Sequence, residues 1–122
     1  IVRASAMQRC CYCTLTHMAI ALDAGVTPDE MRVLRDGDAD LIRATFDERE
    51  SALLDWADAM SLGSGDIPDE VHARFAEHFS QPEIVELSMT IGTTLMLNRY
   101  CTALELPVSA ANLAKLEDAG LS

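Results

Sequence analysis

Residues 10–30 read CCYCTLTHMAIALDAGVTPDE and contain the signals that decide the fold class. Apolar residues at helical spacing follow the cysteines and predict a helix from about Cys10 to Ala24. Gly25 suits the position just past a helix end, because glycine accepts a positive φ. Thr27 can then cap a second helix, and Glu30 completes a capping box with it. The segment therefore predicts two successive helices joined by a short turn.

The same helix punctuation continues along the rest of the chain. A capping-box pattern at Ser80 and Glu83 opens the longest helix, which is predicted from about Gln81 to Leu104. This helix carries apolar residues on most of its faces, which predicts a central, buried position. The period-two alternation that is typical of strands is nowhere sustained. We therefore predict one all-α domain over residues 1–122, with six or seven helices.

Composition and charge exclude several classes of function. Hydrophobic residues make up 49% of the chain, as is usual for a soluble globular protein. The 20 acidic and 9 basic residues give a net charge of −11, which repels nucleic acid phosphates and anionic membranes. No apolar run approaches the length of a membrane span, and no secretory signal is visible. We expect no nucleic acid or membrane partner and a cytoplasmic location.

Four cysteines occur in the chain, at Cys10, Cys11, Cys13 and Cys101. A secreted disulfide scaffold would distribute its cysteines to join distant loops. Three cysteines within four residues of a cytosolic chain instead indicate redox or metal chemistry. Cys11 and Cys101 are interpreted as packing residues, since free cysteine is often buried.

Helical geometry selects the cysteines that can work together. On an ideal helix Cys13 lies about 60° from Cys10, and His17 lies about 20° from Cys10, so the three share one face. Cys11 lies about 100° away in the other direction. Cys10 and Cys13 could close a disulfide with modest rearrangement, and His17 could serve as a base one turn later. Such a set supports peroxide reduction through a sulfenic acid and a disulfide, whereas two thiolates and an imidazole could also bind zinc.

The cysteine segment also resembles a known family. Cys10-Cys11-Tyr12-Cys13 followed by His17 is similar to the C-x-Y-C-x-x-x-H signature of AhpD-like alkylhydroperoxidases, which belong to the carboxymuconolactone decarboxylase family. The resemblance spans roughly residues 1–107. Its further family-like segments are residues 21–30, 46–50, 82–87 and 98–100.

The resemblance implies an all-α antioxidant enzyme with a role for each motif residue. Cys13 matches the cysteine that attacks the peroxide, and Cys10 matches the resolving cysteine. His17 matches the proton-relay histidine, and Tyr12 matches a tyrosine that shapes the site or forms a hydrogen bond in it. A redox-active Cys10–Cys13 disulfide takes the place of a cofactor or metal, and a dithiol or lipoyl-type protein serves as reductant. Family members commonly assemble as trimers or hexamers.

Three other functions remain as alternatives. The family's relay glutamate lies about a dozen residues before the first cysteine, a position that falls before Ile1. Since Ile1 to Met7 already has a helical pattern, we expect the N-terminal part of the domain to lie upstream of this sequence. A chain without that glutamate would be a non-catalytic redox sensor. A metal-binding module is the next alternative, and a lactone decarboxylase is less favoured because those enzymes act without the cysteine pair.

Overall fold

A computed structural model of the protein describes residues 1–121, and every regular element in that range is a helix. The all-α prediction is confirmed, but the helices within residues 1–121 number eight rather than six or seven, because the first residues and a short segment after residue 38 each form a helix of their own. In chain order the helices are α1 Val2–Met7, α2 Cys11–Asp23, α3 Pro28–Asp36, α4 Ala39–Thr45, α5 Glu48–Ser61, α6 Asp69–His78, α7 Gln81–Ala103 and α8 Ala110–Asp118.

Capping boxes begin three of these helices. Thr27, Asp47 and Ser80 each accept a hydrogen bond from the backbone N–H three residues further on, where a glutamate bonds back to the backbone N–H of the cap. Each box satisfies two of the N–H groups that a helix start leaves without a partner. The starts of α3, α5 and α7 are therefore encoded by a few local residues.

Helix α1 lies at the centre of the fold, although it is only six residues long. Its residues Val2, Arg3, Ala4 and Ser5 are buried, and it contacts α2, α3, α5 and α7. Val2 belongs to one hydrophobic core, and Ala4 belongs to a second one. The first core also contains Met18, Ala19, Met31, Leu116 and Leu121, and the second also contains Trp56, Ala57, Phe75, Phe79 and Ile91.

The prediction that the longest helix is central and buried is wrong for the single chain. Helix α7 buries only one side, through Ile91, Thr94, Asn98 and Cys101. Its other sides carry large apolar residues that remain exposed, namely Val85, Met89, Met96, Leu97 and Tyr100. Apolar residues therefore occur on most sides of α7 because one of its faces packs inward and another faces outward.

A buried arginine joins α1 to two other elements. Arg3 is 6% exposed and donates two hydrogen bonds to Asp58 on α5, at 2.7 and 2.9 Å. Arg3 also donates to the carbonyl of Leu34 at 3.3 Å and to that of Gly37, just past the end of α3, at 2.7 Å. A bidentate guanidinium–carboxylate pair with further carbonyl acceptors satisfies most of the buried donors of Arg3. The ion pair thus fixes α1, which leads directly into the cysteine segment.

Candidate functional site

Cys10 lies in the junction between α1 and α2. The backbone N–H of Cys10 donates to the carbonyl of Ser5 at 3.1 Å, which closes a Schellman motif at the end of α1. Arg9 occupies the left-handed position of this motif with a φ of 54°, where a residue with a side chain costs about 1–2 kcal/mol. The motif turns the chain so that Cys10 becomes the cap of α2.

The sulfur of Cys10 is part of the helix cap itself. Cys10 has an extended backbone, and its Sγ accepts a hydrogen bond from the backbone N–H of Cys13 at 3.4 Å. Helix α2 therefore begins at Cys11, one residue later than predicted. This position places the Cys10 sulfur at the positive end of a helix of 13 residues, where negative charge is stabilised.

Cys13 and His17 face a cavity of about 480 Å³ between α2 and α7. Tyr12 lines the same cavity, and Asn98 and Cys101 line it from α7. Apolar side chains supply part of the remaining wall, namely those of Ile1, Met89 and Leu97. Glu86 places a carboxylate on the same wall. The cavity thus combines a thiol, an imidazole and a largely apolar surround.

Cys10 does not reach this cavity. It is 0% exposed, is absent from the cavity wall and packs behind Cys13, which is 5% exposed and does line the wall. Both residues are thiols in the structure. The sequence predicted Cys10, Cys13 and His17 on one face, and the structure brings Cys13 and His17 to one cavity with Cys10 buried next to them.

The two thiols differ in their tendency to ionise. Burial opposes ionisation of Cys10, but hydrogen bonds from Thr102, Cys13 and Asn98 outweigh it, so the pKa of Cys10 lies below the ordinary thiol value. Burial raises the pKa of Cys13 to about 12, and the neighbouring Cys10 sulfur acts in the same direction. The pair titrates as a unit, and its first negative charge resides on Cys10.

His17 is placed to accept a proton. Its side chain is partly buried in the cavity wall, and burial lowers the pKa of its imidazole below the ordinary value. The imidazole is therefore neutral at pH 7 and retains a free nitrogen lone pair. A neutral imidazole beside a thiol can act as a general base.

Asn98 is a site residue that the sequence analysis missed. It is 1% exposed, and its Nδ2 donates to the Ser5 hydroxyl at 2.9 Å. Its Oδ1 has no hydrogen-bond partner within residues 1–121. Leaving a buried acceptor without a partner costs about 1–3 kcal/mol, so an unpaired amide oxygen in a cavity wall indicates a place for a hydrogen-bond donor. The signal in the sequence was an asparagine on a largely apolar helix.

The other two cysteines occupy contrasting environments. Cys11 is exposed, so its interpretation as a packing residue is wrong, because the first turn of α2 turns its side chain outward. Cys101 is 7% exposed and therefore buried as predicted, but it packs against Cys10 and Cys13 rather than among aliphatic side chains alone. Three of the four thiols thus form one cluster.

Two further structural findings concern the alternatives. Within residues 1–121, no group of three histidine, cysteine or acidic side chains is arranged to hold a metal ion. Cys10, Cys13 and His17 therefore do not form a ligand set in this arrangement. Over the same range, no helix combines the length and the apolar character that crossing a membrane requires.

Comparison with known families identifies the segment that carries the site. Residues 1–59 match the model of the carboxymuconolactone decarboxylase family. The match contains α1, α2 and all four motif residues, and the family predicted from the cysteine motif is confirmed.

The fold resembles a solved bacterial structure. A crystal structure of a protein of unknown function from Agrobacterium tumefaciens, proposed to be the antioxidant defence protein AhpD, superposes with a TM-score of 0.81. The two sequences are 24% identical, and the alignment covers 89% of this chain and 73% of the other. At this identity the likeness establishes the fold alone. No curated protein sequence matches this chain.

Proposed function

We propose that this protein is a thiol-dependent peroxide reductase that acts in the cytoplasm. The observation that carries the proposal is the placement of Cys13 and His17 on one cavity wall with the buried Cys10 directly behind Cys13. The family of residues 1–59 and the description of the Agrobacterium protein as a proposed antioxidant defence protein support the same assignment.

Cys13 is the sulfur that attacks. The lower pKa favours Cys10 as the attacking residue, whereas contact with the cavity favours Cys13. Contact with the cavity decides between them, because a fully buried sulfur cannot reach a peroxide there. The Cys13 proton passes to His17. The Cys13 thiolate then attacks a peroxide oxygen, so that an S–O bond forms and the O–O bond breaks. Cys13 is oxidised to a sulfenic acid, and the peroxide is reduced to an alcohol or water whose oxygen takes the proton back from His17.

Cys10 resolves the sulfenic acid. Its thiolate, stabilised at the start of α2, attacks the Cys13 sulfur, and hydroxide leaves and takes up a proton from the solvent to form water. The product is a Cys10–Cys13 disulfide. An external dithiol, such as a lipoyl-type protein, reduces this disulfide by two exchange steps. The cycle needs no metal or organic cofactor.

Asn98 favours the thiolate forms in this scheme. Its carboxamide contributes to the lowered pKa of Cys10 and opposes the rise in the pKa of Cys13. Tyr12 lines the cavity and packs against the cysteine cluster, so its ring shapes the wall beside Cys13.

The test is peroxide consumption with dihydrolipoamide as reductant. We expect turnover by the wild type and by Cys11→Ser, which alters an exposed cysteine outside the cluster and serves as the matched control. Cys13→Ser should abolish turnover, and His17→Ala should lower it by about 10²-fold or more, as is typical for loss of a general base. Full activity of Cys13→Ser would contradict the proposal. A wild type with a titratable dithiol but no turnover would instead favour a redox sensor.

A further inference from the structure

The cysteine cluster contains one thiol that the peroxidase cycle leaves unused. Cys101 lies on α7, packs with Cys10 and Cys13 in one buried cluster, and lines the cavity beside Cys13. Its thiol also contributes to the raised pKa of Cys13. Neighbouring thiols in one cluster can form a disulfide when side-chain movement brings their Cβ atoms to about 4 Å.

We propose that Cys101 is a third redox-active thiol, which shares Cys13 with Cys10 and forms a Cys13–Cys101 disulfide. Cys13 shares one cluster with both other thiols, so it can pair with Cys10 at the start of α2 or with Cys101 across to α7. The second pairing ties α2 covalently to α7 through the wall of the cavity.

The second pairing forms by internal exchange and needs no further oxidant. The Cys101 thiolate attacks the Cys13 sulfur of the Cys10–Cys13 disulfide. The Cys13–Cys101 bond forms, the Cys10–Cys13 bond breaks, and Cys10 leaves as a thiolate, while the Cys101 proton passes to the solvent. The number of disulfides stays at one. Exchange is faster when the departing thiol is the better stabilised anion, and Cys10 is stabilised by Thr102, Asn98 and the start of α2.

The third thiol also gives the Cys13 sulfenic acid a second resolving partner. Cys101 can condense with it and release water in competition with Cys10. This protects Cys13 from further, irreversible oxidation. The protective role rests on the proposed peroxidase function, whereas the Cys13–Cys101 pairing does not.

The pairing is tested on the full chain with diamide, which oxidises two thiols to a disulfide and takes up both electrons and both protons. Trypsin cleaves after Arg9, Arg32, Arg99 and Lys115, so Cys13 and Cys101 fall in separate peptides, residues 10–32 and 100–115. In Cys10→Ser/Cys11→Ser, which keeps only these two cysteines, we expect the two peptides to be joined in more than half of the molecules. The linkage should disappear on reduction.

The matched control keeps Cys101 and a different cysteine of the same peptide. Cys10→Ser/Cys13→Ser retains the exposed Cys11, and we expect no joined peptides under the same conditions. Absence of the linkage in Cys10→Ser/Cys11→Ser would overturn the proposal, provided that the circular dichroism spectrum of this variant is like that of the wild type. Equal linkage in the control would also overturn it, because the pairing would then reflect unfolding.

A parallel reaction with one equivalent of hydrogen peroxide separates this inference from the peroxidase function. Linkage with diamide but not with peroxide supports the third thiol and counts against the peroxidase. A Cys13 sulfenic acid that is trapped by dimedone in Cys10→Ser/Cys11→Ser, without linkage in either reaction, supports the peroxidase and overturns the role of Cys101.

Discussion

In the proposed cycle, Cys10 and Cys13 divide two tasks that a single catalytic cysteine would combine. Cys10 lies at the start of α2 with hydrogen-bond donors around it, whereas Cys13 is turned toward the cavity. In that cycle the buried residue holds the negative charge, and the accessible residue would meet the substrate. Transfer of a proton from Cys13 to His17 would then convert the resting pair into the attacking form.

The division of tasks predicts the order in which the thiols ionise. Because the pKa of Cys10 lies below the ordinary thiol value and that of Cys13 is raised to about 12, the Cys10 carbon signal should titrate first. Cys13 should remain protonated up to strongly alkaline pH. The measurement is the ¹³Cβ chemical shift of labelled cysteines against pH in the reduced protein. In Cys10→Ser the pKa of Cys13 should fall, since Cys10 contributes to raising it. Titration of Cys13 before Cys10 would contradict this account.

Asn98 should act on both thiols at once. Its carboxamide lowers the pKa of Cys10 and of Cys13, so Asn98→Leu, which keeps the volume but removes the amide, should raise both pKa values. We expect peroxide turnover to fall at least about tenfold, because hydrogen bonds to charged groups contribute about 1.5–3 kcal/mol. Ser5→Ala is the control, since it removes the Ser5 contact and leaves the carboxamide in place. Unchanged thiol titration in Asn98→Leu would exclude a direct role.

At the scale of the helices, the Arg3–Asp58 pair holds α1 in place. Arg3→Met leaves the Asp58 carboxylate, itself largely buried, without its partner, and we expect a loss of about 3–5 kcal/mol in the free energy of unfolding. Urea denaturation followed by circular dichroism measures this loss. Asp29→Asn breaks an exposed pair with Arg32 and should leave the denaturation midpoint unchanged.

A double variant tests whether the stability lost in Arg3→Met comes from the unpaired carboxylate of Asp58. Arg3→Met/Asp58→Leu replaces both ions by apolar side chains of similar size and should recover much of the stability that Arg3→Met loses. Equal stability of the single and double variants would show that Arg3 acts through its bond to the Gly37 carbonyl instead.

The elements differ in how far the sequence could predict them. The starts of α3, α5 and α7 were predictable because their capping boxes are local, and so was the register of Cys13 and His17 on α2. The extended backbone of Cys10 was not predictable from helical spacing. It depends on the Schellman turn at Arg9, a residue type that seldom adopts a positive φ. Asn98 and Cys101 reach the site only through the packing of α7 on α2, which no local pattern encodes.

At the scale of the whole molecule, the outward face of α7 explains why its burial was mispredicted. An apolar pattern predicts that a side chain is buried, but it does not indicate whether the surface that buries it belongs to the same chain or to another copy. The outward residues Met96 and Tyr100 are 62% and 59% exposed. Apolar area contributes about 25 cal/mol per Å² when it is covered, so this face favours association.

The family's usual trimer or hexamer therefore stays our prediction, with the outward face of α7 as the contact. Met96→Glu/Tyr100→Glu should dissociate the assembly in sedimentation velocity, because it places charge on a surface that association would bury. Leu41→Glu alters an exposed apolar residue on α4 and should leave the sedimentation coefficient unchanged. Since each chain carries a net charge of −11, added salt should strengthen assembly of the wild type by screening the repulsion between copies. A wild type that sediments as a monomer at high salt would show that this face does not join copies of the chain.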